Sequence, residues 1–347
     1  MRIGLYIFAS IVLIVVIGMF VFTFNPNDYR HILFGIPVTL PIAVWIVIPM
    51  FLLMGASVFH MIFYSTKNFF KFKRWEKDSN TLTNALYWSL LNEPRDHKFN
   101  LKKLKESASL LQVANIKLNG TIDGVSGKIQ SALNIISELD KGNCVDFREK
   151  KLAHELSLNN PLVIQNHMNC LEKDESFIET VLQNKENYHQ KIFDEALHLF
   201  AMRTTFPKAK KHIKVFNKEN FMTLISRITY DEDLELTQTI LNEFIEELSP
   251  KLKCSDFLLI ADIIKKPFSP DENLKLFKSY EGMYPKAQTA YLYLLFDYEM
   301  IEKAGEYLHE HDPHEFMRFR ALFDLKQEHT KYKITDLMNI KHICNDL

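Results

Sequence analysis

The sequence predicts an all-α protein: an N-terminal two-helix transmembrane hairpin followed by a cytosolic α-helical, solenoid-like repeat domain. Three observations carry that expectation. Ile3 to Phe24 has no charged residue and Leu40 to Tyr64 contains only His60, so each run exceeds the roughly 18–20 apolar residues that a helix needs to cross a bilayer. Ten glycines and twelve prolines in 347 residues are few, which favours long regular helices over a turn-rich β architecture. From residue 78 onward apolar residues recur at helical spacing, and strand-like alternation is rare.

The first run follows Arg2, as a secretory signal would, but it is longer than the apolar core of a signal. It ends in bulky Phe22, Thr23 and Phe24 rather than small residues, so it reads as a span. Lys67, Lys71, Lys73, Arg74 and Lys77 follow the second run, whereas the connection Asn25 to Thr39 offers only Arg30, offset by Asp28. The positive-inside rule then keeps this collar, and both termini, in the cytosol. Gly35-Ile36-Pro37 reads as a turn leading into the second helix. Phe69, Phe70, Phe72 and Trp75 interleave with the collar cations, a mixture suited to the headgroups of an anionic leaflet and common to inner-face span ends.

Inside the spans, Pro49 removes one backbone hydrogen bond and marks a kink site, while Gly55-Ala56-Ser57 lets another helix approach, in a hairpin or a homo-oligomer. His60 lies near the cytoplasmic end and reads as an interfacial residue rather than a proton relay. No paired intramembrane charges occur, which argues against a pump or transporter. The net charge of −1 gives no nucleic-acid surface. Cys144, Cys170, Cys254 and Cys344 are scattered and never form CxxC, so in a reducing cytosol they read as free thiols, with neither a zinc ribbon nor a disulfide framework.

The body divides at a glycine-bearing stretch. Residues 1–77 form the hairpin with its collar, 78–145 a membrane-proximal helical segment and 146–347 the repeat-like domain. Leu82, Leu86, Leu90 and Leu91 mark one helix face, and Ile192, Phe193, Ala196, Leu197, Phe200 and Ala201 another. Ser269-Pro270-Asp271-Glu272 and Asp312-Pro313-His314-Glu315 each place an N-cap, a proline and an acid at the start of a helix, and Asn160-Pro161 repeats the punctuation without the acid. Phe206-Pro207-Lys208-Ala209 and Tyr284-Pro285-Lys286-Ala287 match in type and lie 78 positions apart, a spacing that suits two units of about 39 residues. Ala287, Tyr291 and Leu294 before a turn at Asp297 to Glu299, then Ala304, Tyr307 and Leu308 after it, fit one stacking helix pair. Gly120, Gly124 and Gly127 with Ser131 form either a small-residue helical ridge or a loop hinge.

Chemistry is hard to find in this chain. A phosphate loop fails because Ile129 follows Gly127-Lys128, where a hydroxyl is needed, and Ile122 stands where its first glycine belongs. HExxH, GxSxG and the dinucleotide fingerprint are missing from the sequence. His309, His311 and His314, with Glu310, Asp312 and Glu315, are the best metal candidate, but the same residues also read as a solvated junction between two helices. His154, His167 and His198 have no identifiable nucleophilic partner. The acidic groups Asp231-Glu232-Asp233 and Glu243, Glu246 and Glu247 read as solvated faces and first turns of helices; Lys208, Lys210, Lys211, His212 and Lys214 read as a solvated basic face. No catalytic, cofactor or metal residue is assigned, and the chain reads as a non-enzyme.

Asn25-Pro26-Asn27-Asp28 through Ile32-Leu33-Phe34-Gly35, then Leu40-Pro41-Ile42-Ala43-Val44-Trp45-Ile46 and the basic exit, resemble the membrane hairpin of the lipopolysaccharide assembly protein A family. The resemblance covers about the first 75 residues. It implies a bacterial inner membrane and, since that family partners a tetratricopeptide protein in regulating envelope synthesis, an arrangement similar to fusing the two partners. The resemblance departs at the metal module with paired CxxC motifs that ends that partner, lipopolysaccharide assembly protein B, since this chain has no CxxC. The resulting expectation is a scaffold that binds other proteins at the cytoplasmic face, with an accessory subunit of a larger membrane complex, or an enzyme with a dispersed site, as rivals.

Overall fold

A computed structural model describes residues 3–33, 36–117, 120, 122, 124–328, 333–337 and 343–344 of the chain. It contains two compact units, Met1–Asn134 and Ile135–Leu347. The first holds α1 (Ile3–Phe24), a two-stranded ribbon of β1 (Asp28–Leu33) and β2 (Ile36–Pro41), α2 (Ile42–Leu90) and α3 (Lys102–Ala108). The division between the units falls within α4 (Gly127–Asp140).

The fold is mostly helical, as expected, and the short ribbon is an addition to it. Asp28 pairs with Pro41 and Leu33 with Ile36 in antiparallel register, so Ile36-Pro37 opens a strand instead of leading into a helix; Gly35 lies outside the described residues. Tyr, Ile, Val and Thr suit a pleated ribbon, and the prolines are tolerated because two strands have only edges. Trp45 Nε1 donates to Tyr29 O at 3.1 Å and its ring meets His31 edge-on at 5.7 Å, pinning the ribbon to the start of α2.

At 49 residues, α2 is about 74 Å long. It passes through Pro49 and runs beyond residue 77, because no glycine or proline interrupts the sequence between Gly55 and Pro94. Thus the collar does not end an element. Gly18 of α1 makes the close approach within the hairpin, where an added Cβ would stand 3.1 Å from Val47 Cγ2. Gly55 has open space around it and Ala56 is exposed.

Near its far end, α2 buries Ala85, Tyr87, Ser89 and Leu90, while Leu82 and Leu86 are half-buried. Asp78 is fully buried and holds the backbone just ahead of α3. It accepts hydrogen bonds from Asn100 N at 2.9 Å, Asn100 Nδ2 at 2.7 Å and Leu101 N at 2.7 Å. Burial favours its neutral form, yet these donors outweigh that and hold its carboxyl below the usual range. Gly120 and Gly124 lie in irregular chain, Gly124 at φ 76°, and Gly127 opens α4.

The second unit continues with α5 (Pro161–Lys173), α6 (Glu175–Gln183), α7 (Gln190–Arg203), α8 (Phe206–Lys210), α9 (Lys218–Ser226), α10 (Gln238–Leu248), α11 (Cys254–Ile263) and α12 (Pro270–Met283). It ends with α13 (Gln288–Asp297), α14 (Ile301–His309), α15 (Met317–Glu328) and α16 (Ile334–Leu337). Alternate helices pack in a row, α5 on α7, α7 on α9, α9 on α11 and α11 on α13, while α6 leans on α7, α8 on α10 and α12 on α13. One apolar cluster extends from Leu171 to Ile343. The six predicted stripe residues of α7 are all buried, and α13 is buried on every side from Thr289 to Phe296.

Local signals are resolved individually. Asn160 Oδ1 accepts from Leu162 N at 2.9 Å, and Ser269 with Glu272 forms a reciprocal capping box ahead of Pro270. The pair α13–α14 forms as expected around Glu299, which is left-handed at φ 57°, with Tyr291 and Tyr307 edge-on at 5.3 Å. The Asp312-Pro313 start is a correction. Residues 313–316 are a turn, Phe316 has φ 55°, and α15 begins only at Met317. The matched Pro-Lys-Ala segments share a fully buried alanine, Ala209 and Ala287, but one opens five-residue α8 and the other is a 3-10 turn running into α13.

The free-thiol reading is also corrected. Cys144 bonds Cys170 across 26 residues and Cys254 bonds Cys344 across 90, with Cα atoms 4.8 and 5.9 Å apart. Helix packing brings together residues whose spacing carries no signal.

Candidate functional site

Two regions hold the residues from which function can be argued. The first is the run of α1 and α2. Both helices are long and apolar enough to cross a membrane, and only about 6 % of the most apolar stretch of each is buried in protein. Beyond Tyr64, α2 carries exposed Phe69, Phe70, Phe72 and Trp75 on several sides of one helix, with the collar lysines between them. His60 is exposed and meets Tyr64 edge-on at 4.4 Å.

The second region is the surface of the helical body. His309 and His314 are exposed, whereas His311 is half-buried, its Nδ1 2.8 Å from Tyr307 O and its ring 4.3 Å from Tyr307 and 5.4 Å from Phe316. Arg320 shapes this turn, donating from Nη2 to Leu308 O (2.7 Å), His311 O (3.0 Å) and Asp312 O (2.8 Å), and from Nε to Glu315 O (2.8 Å). It thereby caps the open carbonyls after α14. The three imidazoles do not converge, and among the described residues no group of three or more His, Cys, Asp or Glu is placed to hold a metal ion.

The other histidines are separate as well. His154 is exposed, and His198 Nδ1 stands 3.4 Å from Asn220 Oδ1. His167 packs against Tyr188 at 5.1 Å and Phe177 at 5.8 Å, and burial pushes its pKa below 6.5. A depressed folded-state pKa means the contribution to stability is complete above the unfolded value near 6.5 and is lost as pH falls through the folded value. The melting temperature should therefore drop between pH 7.5 and 5, and His167→Phe should flatten that slope; an unchanged slope in the variant contradicts this assignment.

Some charged groups of the body pair internally. Asp231 meets Arg227 at 2.8 Å, Glu232 meets Lys266 at 3.7 Å and Glu243 meets Lys210 at 2.7 Å, while Glu246 and Glu247 are exposed late in α10 rather than in its first turn. Lys208, Lys211 and Lys214 remain exposed, and His212 meets Phe200 edge-on at 5.3 Å. Sequence reasoning missed the cluster around Lys265, which lies 2.6 Å from Asp262 and 3.0 Å from Asp297, with the Tyr293 hydroxyl at 3.3 Å. Burial disfavours the ammonium, yet the two carboxylates outweigh it and raise its pKa; burial likewise pushes Tyr293 up to about 12. Asp262 three residues before Lys265 was visible in the sequence, whereas Asp297 arrives only through packing of α13 on α11.

Hollows in the body are modest. A cavity of about 80 Å³ adjoins the start of α13 and residues 343–344, and an open groove of about 250 Å³ runs over Ile228, Leu234, Leu236 and Pro267 with Asp231, Glu232 and Glu235 along it. Such features define a mostly helical protein with two candidate membrane spans and a packed helical body. Comparison of the chain with protein-family models, with curated proteins and with solved structures finds no match.

Proposed function

We propose that this protein is a scaffold, fixed by two spans to the inner membrane of a bacterium, whose α-helical body binds other proteins at the cytoplasmic face. The observation that carries the reading is the continuity of α2, which leaves an apolar span, passes through five basic residues and four exposed aromatics, and becomes part of the fold of the first unit without a break. Confinement to one surface raises the effective concentration of two partners without any chemistry.

The row of alternately packed helices supports a solenoid-like, tetratricopeptide-type body, since helix pairs that cannot bury their apolar faces alone do so against neighbours. The likeness of the hairpin to the lipopolysaccharide assembly protein A family supports envelope assembly as the setting. A second reading, an accessory subunit of a larger membrane complex, is favoured by the open surface at Gly55 and Ala56, which leaves room for another helix.

Crosslinking in cells and detergent purification together test both. The full chain is compared with a chain lacking 135–347 and with Gly55→Leu/Ala56→Leu. Loss of captured proteins with the body alone supports the scaffold; loss with the span variant alone supports the subunit; unchanged capture in both rejects each.

A further inference from the structure

We infer that Lys67, Lys71 and Arg74 form a binding site for the phosphate headgroup of an anionic glycerophospholipid in the cytoplasmic leaflet. The site rests on the two-span placement proposed for the chain and names the lipid class that the basic end of α2 takes.

Helical geometry gathers these three cations. At 3.6 residues per turn, positions i, i+4 and i+7 fall within an arc of about 60°, whereas Lys73 and Lys77 lie roughly 80–120° from Lys67 around the helix. Phe70 borders the stripe on one side and Trp75 on the other, and both are exposed. Glu76, the one carboxylate between Tyr64 and Lys77, projects from the opposite side. Tyr64, Lys67, Asn68, Phe70, Lys71 and Arg74 frame an open hollow of about 670 Å³. Its polar groups are mainly donors: two ammonium groups, a guanidinium, an amide and a phenol. A phosphodiester offers acceptor oxygens alone, and a guanidinium can engage two of them at once.

Depth selects the same ligand. From Ile42 to Tyr64 the helix rises about 33 Å, near the ~30 Å of a hydrocarbon core, so α2 leaves that core at Tyr64. Lys67, Lys71 and Arg74 then stand about 4.5, 10.5 and 15 Å farther on, against a headgroup layer of roughly 5–8 Å. Side chains of a helix lean toward its N-terminus, which on α2 is the membrane side, and long basic stems extend in that direction. The lean brings Lys67 and Lys71 to the phosphates and Arg74 to their outer edge, while Phe70 and Trp75 supply rings suited to the interface. Continuity with the span keeps the phosphates of the leaflet always within reach, which favours lipid over a dissolved anion. Lys103 differs in this respect. It follows Leu101, whose N–H is held by Asp78 about 21 Å beyond Tyr64, more than two Debye lengths.

The test uses the full chain, stripped of lipid in neutral detergent and titrated with dioleoylphosphatidylglycerol or dioleoylphosphatidylcholine, with adducts read by native mass spectrometry. Two variants each lose three exposed cations: Lys67→Gln/Lys71→Gln/Arg74→Gln from the stripe, and Lys73→Gln/Lys77→Gln/Lys103→Gln outside it. Circular dichroism checks that both keep their helix content. Each cation beside an anionic headgroup is worth about fivefold in affinity. One phosphatidylglycerol per chain is therefore expected, held about tenfold or more above phosphatidylcholine, and it should weaken by more than about tenfold in the stripe variant and by less than about twofold in the other. Equal weakening in the two variants reduces the effect to net charge and overturns the site. Equal retention of the two lipids overturns it too, as does displacement of the lipid by millimolar inorganic phosphate, or a dimer that the stripe variant alone abolishes. Alkaline carbonate washing of membranes tests the placement separately: release of the chain overturns the spans, the scaffold and the site together, whereas retention without a selective adduct overturns the site alone.

Discussion

Phe244→Ala is expected to destabilise the helical body by about 3–5 kcal/mol, the cost of truncating a fully enclosed phenylalanine where the surroundings relax only in part. Phe244 of α10 is fully buried, and its ring meets Phe221 stacked at 5.1 Å, Phe216 edge-on at 5.4 Å and Phe206 edge-on at 6.3 Å. Three partners from separate stretches share one ring, so its removal opens a cavity at the meeting point of α8, α9 and α10 and forfeits the ring–ring geometry. All three tryptophans, Trp45, Trp75 and Trp88, lie in the first unit, so their fluorescence does not report this loss. Hydrogen exchange over 206–248, combined with urea unfolding monitored by far-ultraviolet circular dichroism, measures it. A change below about 1 kcal/mol contradicts the packing described.

Arg227→Ala is expected to cost about 1–3 kcal/mol, because it leaves the backbone carbonyls that the buried guanidinium serves without a donor. Arg227 is 8 % exposed; its Nη1 donates to Ala201 O at 3.0 Å and Thr204 O at 2.6 Å, and its Nη2 to Asp231 at 2.8 Å. Two of those acceptors are carbonyls at the end of α7, which no residue of that helix can satisfy. Arg227→Lys should recover less than half of the loss, since an ammonium lacks the planar fork that serves three acceptors at once. The hydrogen bond from Arg227 is also the main reason that the Asp231 carboxyl sits below its ordinary 3.8. Its contribution is present above that value and lost as pH falls through the lower folded value, so acid unfolding of the Ala variant should be less steep below pH 3.8. Equal acid sensitivity in both proteins, or full rescue by lysine, contradicts this account.

Helix starts that depend on adjacent residues are legible in the sequence: Ser269 and Glu272 form their box, and Asn160 caps α5. Asp312 with Pro313 carries a similar pattern and starts no helix, because the four carbonyl contacts of Arg320 and the left-handed Phe316 stabilise a turn there. Neither Arg320 nor Phe316 betrays that role in linear order. The ribbon over 28–41 escapes detection for another reason: its strands are short, and the spans on either side dominate the pattern, so it reads as a connection.

Chain order alone determined the two apolar runs, their basic exit and the helical character of the body, since these depend on transfer of side chains from water and on a periodicity visible over a few turns. Tertiary structure alone decided which cysteines meet, that Arg227 serves α7, that Asp297 joins Lys265, and that three histidines remain apart. Such contacts join residues tens of positions apart, and their geometry is set by the stacking of alternate helices, which no local spacing encodes.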